Sequence, residues 1–157
     1  MSDRIAILRN GRFEQIGAAH DIYARPRSRF VAEFMGDVNL FEISTETGEG
    51  QCGVEGIDRT SIAPAQWSTL PGKQSALMVR PEMLSFLQPG ESADFEITGD
   101  IQAEYMLGSR TQYEIVCASG KLVSVERSSS GVIYQDNSRV RLGFSLEDAH
   151  VIAEPES

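Results

Sequence analysis

The sequence predicts a mainly β fold preceded by a β-hairpin and two short α-helices. Asn10-Gly11 stands between the apolar runs 4–9 and 12–16. That dipeptide is the strongest short hairpin signal, because both turn residues take positive φ. Beyond residue 36, seven short segments rich in β-branched and aromatic residues alternate with turn residues, the pattern of a barrel or a sandwich. One of them alternates along its whole length. Phe95, Ile97, Gly99, Ile101, Ala103 and Tyr105 fall on one side, and Asp94, Glu96, Thr98, Asp100, Gln102 and Glu104 on the other.

The elements follow in chain order. Gly17 closes the hairpin, and 18–24 is short and helix-compatible until Pro26 stops it. Ser28 is placed to cap a second helix, in which Phe30, Val31, Phe34 and Met35 recur at one-turn spacing. Gly36 is placed to end it. The predicted strands are 39–44, 52–55, 75–79, 95–105, 112–117, 122–126 and 139–144. Their separators include Thr47-Gly48-Glu49-Gly50, Pro71-Gly72, Pro89-Gly90, Ser119-Gly120 and Ser128-Ser129-Ser130-Gly131. Gly99 marks a place where the longest strand bends.

Charge divides the chain near Gly36. Residues 1–36 carry +2 and residues 37–157 carry -11, for a net -9 over 157 residues. A large acidic surface repels phosphate backbones and argues against nucleic acid as a partner. No apolar run approaches the roughly 20 residues needed to cross a bilayer, and the N-terminus does not read as a signal peptide. Cys52 and Cys117 match no metal spacing and read as buried free thiols suited to a reducing compartment.

Catalytic patterns are missing. His20 and His150 have no partner at ligand spacing, and Gly72-Lys73-Gln74 and Gly120-Lys121-Leu122 lack what a phosphate loop requires. The pair Glu147-Asp148 reads as solvated, and 128–130 as a loop. No cofactor or metal site is expected.

A resemblance organises these pieces. Ser2-Asp3-Arg4-Ile5, Asn10-Gly11-Arg12, Gln15-Ile16-Gly17, Ile22-Tyr23-Ala24-Arg25-Pro26, Phe30-Val31-Ala32-Glu33-Phe34-Met35-Gly36 and Asn39 occur in one order and spacing. Together they resemble the end of the nucleotide-binding domain in ATP-binding subunits of ABC importers, nearest to the polyamine, iron and sugar branch. A second match covers 76–154. It comprises Val79-Arg80-Pro81-Glu82, then Tyr105-Met106-Leu107-Gly108-Ser109 with Thr111 and Tyr113, then Leu142-Gly143-Phe144-Ser145-Leu146-Glu147-Asp148-Ala149. These are similar to the transport-associated OB domain, or TOBE, a small OB-like β-barrel. Residues 45–74 match poorly.

The resemblance implies two parts, 1–36 from the end of a nucleotide-binding domain and 37–157 as the regulatory barrel. The phosphate loop, signature motif, Walker B acids and switch histidine of the family would all precede Met1. The chain is therefore expected to be a C-terminal piece, non-catalytic by itself, of an importer ATPase. Implied partners are a second copy in a homodimer, an ATPase core and membrane permease subunits. The implied place is cytoplasmic, peripheral to the inner membrane. Phe30, Val31, Phe34 and Met35 are the candidate interface; Arg80, Pro81, Glu82, Gly108 and Ser109 are the family-motif positions. The alternative is a small-ligand or oxyanion-binding OB module. Some relatives hold molybdate on a Ser-Ala-Arg-Asn segment, of which Gly36-Asp37-Val38-Asn39 keeps only the asparagine.

Overall fold

Hairpin, helix pair and barrel follow one another in a computed structural model that describes residues 4–44, 53–62, 73–131, 134 and 137–155. Cys52 and the turns at 47–50 and 71–72 lie outside the described residues. Strands β1 (Ile5–Arg9) and β2 (Arg12–Gly17) form the expected hairpin, with Asn10 at φ 53° and Gly11 at φ 76°. A bulge pairs Ile7 with Gln15 and Leu8 with Phe13, leaving Glu14 as the extra residue. Ile7 and Gln15 are consequently buried, whereas Leu8, Phe13 and Ile16 face solvent.

Helix α1 (Ala19–Ala24) ends before Pro26. Helix α2 (Arg29–Phe34) starts on Ser28, whose hydroxyl accepts the Val31 N–H at 3.2 Å. Helices this short have little stability of their own, so packing holds them. Val31 meets Ile22 and Ile7, with Ile5, Phe30 and Met35 against them. On the other side Ala32 packs with Met78 and Ile152 of the barrel.

The barrel is built from two antiparallel sheets. The first has the order β12–β6–β3–β4, from β12 (Ala149–Pro155), β6 (Lys73–Val79), β3 (Asn39–Ser44) and β4 (Gly53–Val54). The second has the order β10–β9–β8–β11–β7, from β10 (Leu122–Ser128), β9 (Arg110–Cys117), β8 (Phe95–Leu107), β11 (Arg139–Phe144) and β7 (Ser85–Phe86). Strand β5 (Arg59–Thr60) also pairs with β8. One core joins the sheets. In it Phe144 stacks on Phe95 at 4.9 Å and on Phe41 at 6.1 Å between centroids. Asn39 ties the two sheets at the level of the backbone: its amide donates to the Ser124 carbonyl and its oxygen accepts the Ser124 N–H, both at 2.8 Å. Cys117 is buried and free, and burial pushes its thiol up from the ordinary range.

The mainly β, OB-like expectation holds, and each predicted strand has its counterpart. Three strands were not anticipated: β5, β7 and the seven-residue β12. Alternation in β8 holds only through Ile101, where the register shifts, so Tyr105 is exposed rather than buried. Glu96, read as outward-facing, is buried at 6% exposure. The reason lies in its neighbours. β5 and β11 flank this stretch of β8, and Arg141 and Arg59 reach Glu96 at 2.6 and 3.7 Å.

Candidate functional site

The densest polar constellation that joins distant segments is the junction between the helix pair and the barrel. At its centre is Arg80, which follows the apolar run Ala76, Leu77, Met78, Val79 and is itself only 2% exposed. A buried guanidinium must spend its donors, and this one faces main-chain carbonyls instead of a carboxylate. Its Nη1 donates to Ala32, Gly36 and Asp37 at 2.9, 3.2 and 3.1 Å. Its Nη2 and Nε donate to Tyr23 at 2.9 and 3.3 Å. The Ala32, Gly36 and Asp37 carbonyls belong to the end of α2 and the turn after it. A planar five-donor fork can serve such a set, and a lysine ammonium cannot.

The next residues complete the joint. Pro81 starts a 3-10 turn, Pro81–Met83, which fixes the direction of Glu82. The Glu82 carboxylate accepts the Tyr23 hydroxyl, while the Tyr23 ring lies 4.2 Å under the Arg80 guanidinium. Burial first, and then the bond to Glu82, pushes the Tyr23 hydroxyl up to about 12. Farther along, the Arg29 N–H donates to Glu154 at 2.8 Å and its guanidinium pairs with Glu42. His150 Nε2 lies 3.1 Å from the Pro26 carbonyl. A carbonyl only accepts, so the ring proton is on Nε2. Burial lowers the His150 pKa from its ordinary value, against the raising effect of that bond. Gln15 splints the Pro26 turn from the hairpin side, donating to Arg25 at 3.2 Å and accepting from Arg27 at 2.9 Å.

The predicted positions fall in different places. Arg80, Pro81 and Glu82 meet at this joint. Gly108, at φ 72°, and Ser109 make the turn between β8 and β9 instead, and Ser109 accepts the Ser129 N–H at 2.8 Å. Beside that turn Tyr105, Met106 and Leu107 are exposed. Of the candidate interface, Phe30, Val31 and Met35 come together against Ile7 and Ile22 of the same chain. Phe34 is 64% exposed and touches Phe30 at 6.0 Å between ring centroids. The candidate oxyanion residue Asn39 is 5% exposed and spends its amide on Ser124. Sequence reading missed Tyr23, Ala32 and His150 as members of the joint. The one signal at the joint was the family likeness of Arg80, Pro81 and Glu82.

Among the described residues no group of His, Cys, Asp and Glu is placed to hold a metal, and no helix is long and apolar enough to cross a membrane.

Comparison with known proteins agrees with this architecture. The chain is 32% identical over 133 residues, 82% of its length, to a spermidine/putrescine import ATP-binding protein of Rubrobacter xylanophilus. It is 31% identical over 170 residues, 99% of its length, to the protein of the same name from Frankia alni. It covers 34% and 37% of those two proteins, so it spans about a third of the length of the curated relatives it matches. Among solved structures, a cytoplasmic molybdate-binding protein, ModG, superposes with a TM-score of 0.57 at 10% identity, covering 75% of this chain and 96% of that one. At that identity the likeness is one of fold. Residues 77–152 match the family described as TOBE domain. The chain thus carries a TOBE domain and belongs among the homologues of the ATP-binding proteins of ABC importers.

Proposed function

We propose that this chain is the non-catalytic regulatory and dimerisation region of the ATP-binding subunit of an ABC importer of the polyamine kind. In this reading residues 1–36 are the end of a nucleotide-binding domain, residues 37–157 are the regulatory barrel, and the whole works at the cytoplasmic face of the membrane with permease subunits. The observation that carries it is the two-sided character of the N-terminal segment. Its inner side is fastened to the barrel through Arg80 and Ala32. Its outer side presents Leu8, Phe13, Ile16 and Phe34, exposed by 55, 64, 48 and 64%. A connector between two bodies needs both sides, and large exposed apolar groups on a small hairpin mark a contact surface. The same exposed groups, with Phe34 from the candidate interface, are the surface proposed for self-association.

Two measurements test this. Calorimetry with magnesium and ATP should give no binding and no turnover, because phosphoryl transfer needs a phosphate cradle and a magnesium site. Turnover that survives repurification would overturn the reading. Light scattering across a salt series should show a dimer that strengthens with salt, since the -11 carried by residues 37–157 repels between copies and screening acts within roughly 8 Å at physiological strength. A monomer under every salt condition would remove the dimerisation role, and Phe34→Ser separates a helix-mediated dimer from one made by the barrel.

A further inference from the structure

Three of the eight cations that follow Gly36 gather at one edge of the barrel. Arg139 and Arg141, on β11, line a cavity of about 420 Å³. Arg127, near the end of β10, lines an adjoining one of about 180 Å³. The cavities share Phe86 and Tyr134, whose rings stack with centroids 3.9 Å apart and planes inclined by 20°. Tyr113, 2% exposed, stands edge-on to both, at 5.4 and 6.0 Å. The shared wall is therefore backed by the core, and the space beside it has the volume of an ordinary small-molecule cleft.

Charge identifies what such a space accepts. The chain carries -9, yet among the described residues no carboxylate lines either cavity. Arg141 is answered from behind by buried Glu96, at 2.6 Å, and by the Gln88 and Glu91 carbonyls. Arg139 has Asp100 at 3.6 Å, with its side chain still 70% exposed. Arg127 donates to the Leu84 carbonyl at 3.2 Å, and no carboxylate pairs with it among the described residues. Two guanidiniums thus keep donors for a ligand. Guanidinium forks match a carboxylate, and the flat stacked rings match a planar apolar body.

We propose that this edge of the barrel binds a small organic anion built on a planar ring, with the ring against Phe86 and Tyr134 and the carboxylate toward Arg139. The site rests on the cavity and its charge, and it does not depend on the chain's place in an importer. It also disfavours a class: among the described residues three guanidiniums and no carboxylate line the two cavities, a setting that repels a polyamine.

Amide-resolved NMR titration of the full chain tests this with three probes: indole-3-acetate, its neutral amide indole-3-acetamide, and spermidine. Indole-3-acetate is expected to move the signals of Leu87, Arg139 and Val140 saturably. The neutral amide and the variant Arg139→Gln should each weaken binding by about tenfold, the loss of charge-assisted hydrogen bonds at a partly wet site. Arg127→Gln should weaken it less, and Phe86→Leu should weaken the acid and the amide alike. Unchanged signals elsewhere in each variant's spectrum show that the fold persists. The proposal fails if the acid moves no cavity signal at millimolar concentration, if acid and amide bind equally, or if spermidine binds at the same residues.

Discussion

Replacing Arg80 tests the joint at its smallest scale. Arg80→Ala leaves the Tyr23, Ala32, Gly36 and Asp37 carbonyls without their donor inside the protein. We expect a loss of about 3 kcal/mol in urea denaturation, since hydrogen bonds to charged groups contribute about 1.5–3 kcal/mol each and part of the loss is regained by water. Arg80→Lys should recover less than half of it, because one ammonium cannot span both the Tyr23 and the Ala32 sides. Tyr23 supplies a pH test. Its folded pKa of about 12 lies above the ordinary 10.0, so the native state favours the neutral hydroxyl. Its contribution is complete below pH 10 and disappears as pH rises toward 12. Absorbance titration should show Tyr23 ionising late, and Tyr23→Phe should flatten stability over that window; an unchanged slope would mean that the hydroxyl is not held by Glu82. For His150 the sign is opposite. A lowered pKa gives stability that is present above 6.5 and lost as pH falls below it.

At the scale of elements, β8 depends on one missing side chain. A Cβ at Gly99 would stand 2.6 Å from both Ile115 Cγ2 and the Val116 carbonyl oxygen, the second of which is backbone and cannot move aside cheaply. Gly99→Ala should therefore cost about 1–3 kcal/mol, read as a lower denaturation midpoint, and hydrogen exchange should quicken along β8 and β9 together. An unaltered midpoint would show that the two strands are free to separate. The sequence marks that glycine as a bend, whereas the structure uses it for a close approach to β9; the hairpin, the Ser28 cap and the strands with clear alternation were legible, because each rests on local geometry. β12 was not legible. Ala149, His150, Ala153, Glu154 and Pro155 carry little strand character, and this element exists because β6 offers it a full edge. Phe34 has the larger apolar side chain, yet Ala32 is the residue that lies against Met78 and Ile152, since a small group lets the helix approach the sheet. Arg80 was marked by family likeness alone, and its partners are carbonyls, which no sequence pattern announces.

At the scale of the whole molecule, β6 lies between β3 and β12 and is antiparallel to both, so β3 and β12 run in the same direction. Asn39 and Ala149 sit at one end, both opposite Val79, while Pro155 sits at the other, opposite Lys73. A pull applied through the helix pair at Asn39 and resisted at Pro155 would therefore load these three strands lengthwise. Their backbone bonds would share the force and have to break together, whereas a pull across the strands would open them one at a time. The protein is built like a lap joint along that line. Single-molecule stretching between these two points should give a high, all-or-none rupture, and attachment at Asn39 and Ala149 should give a much lower one.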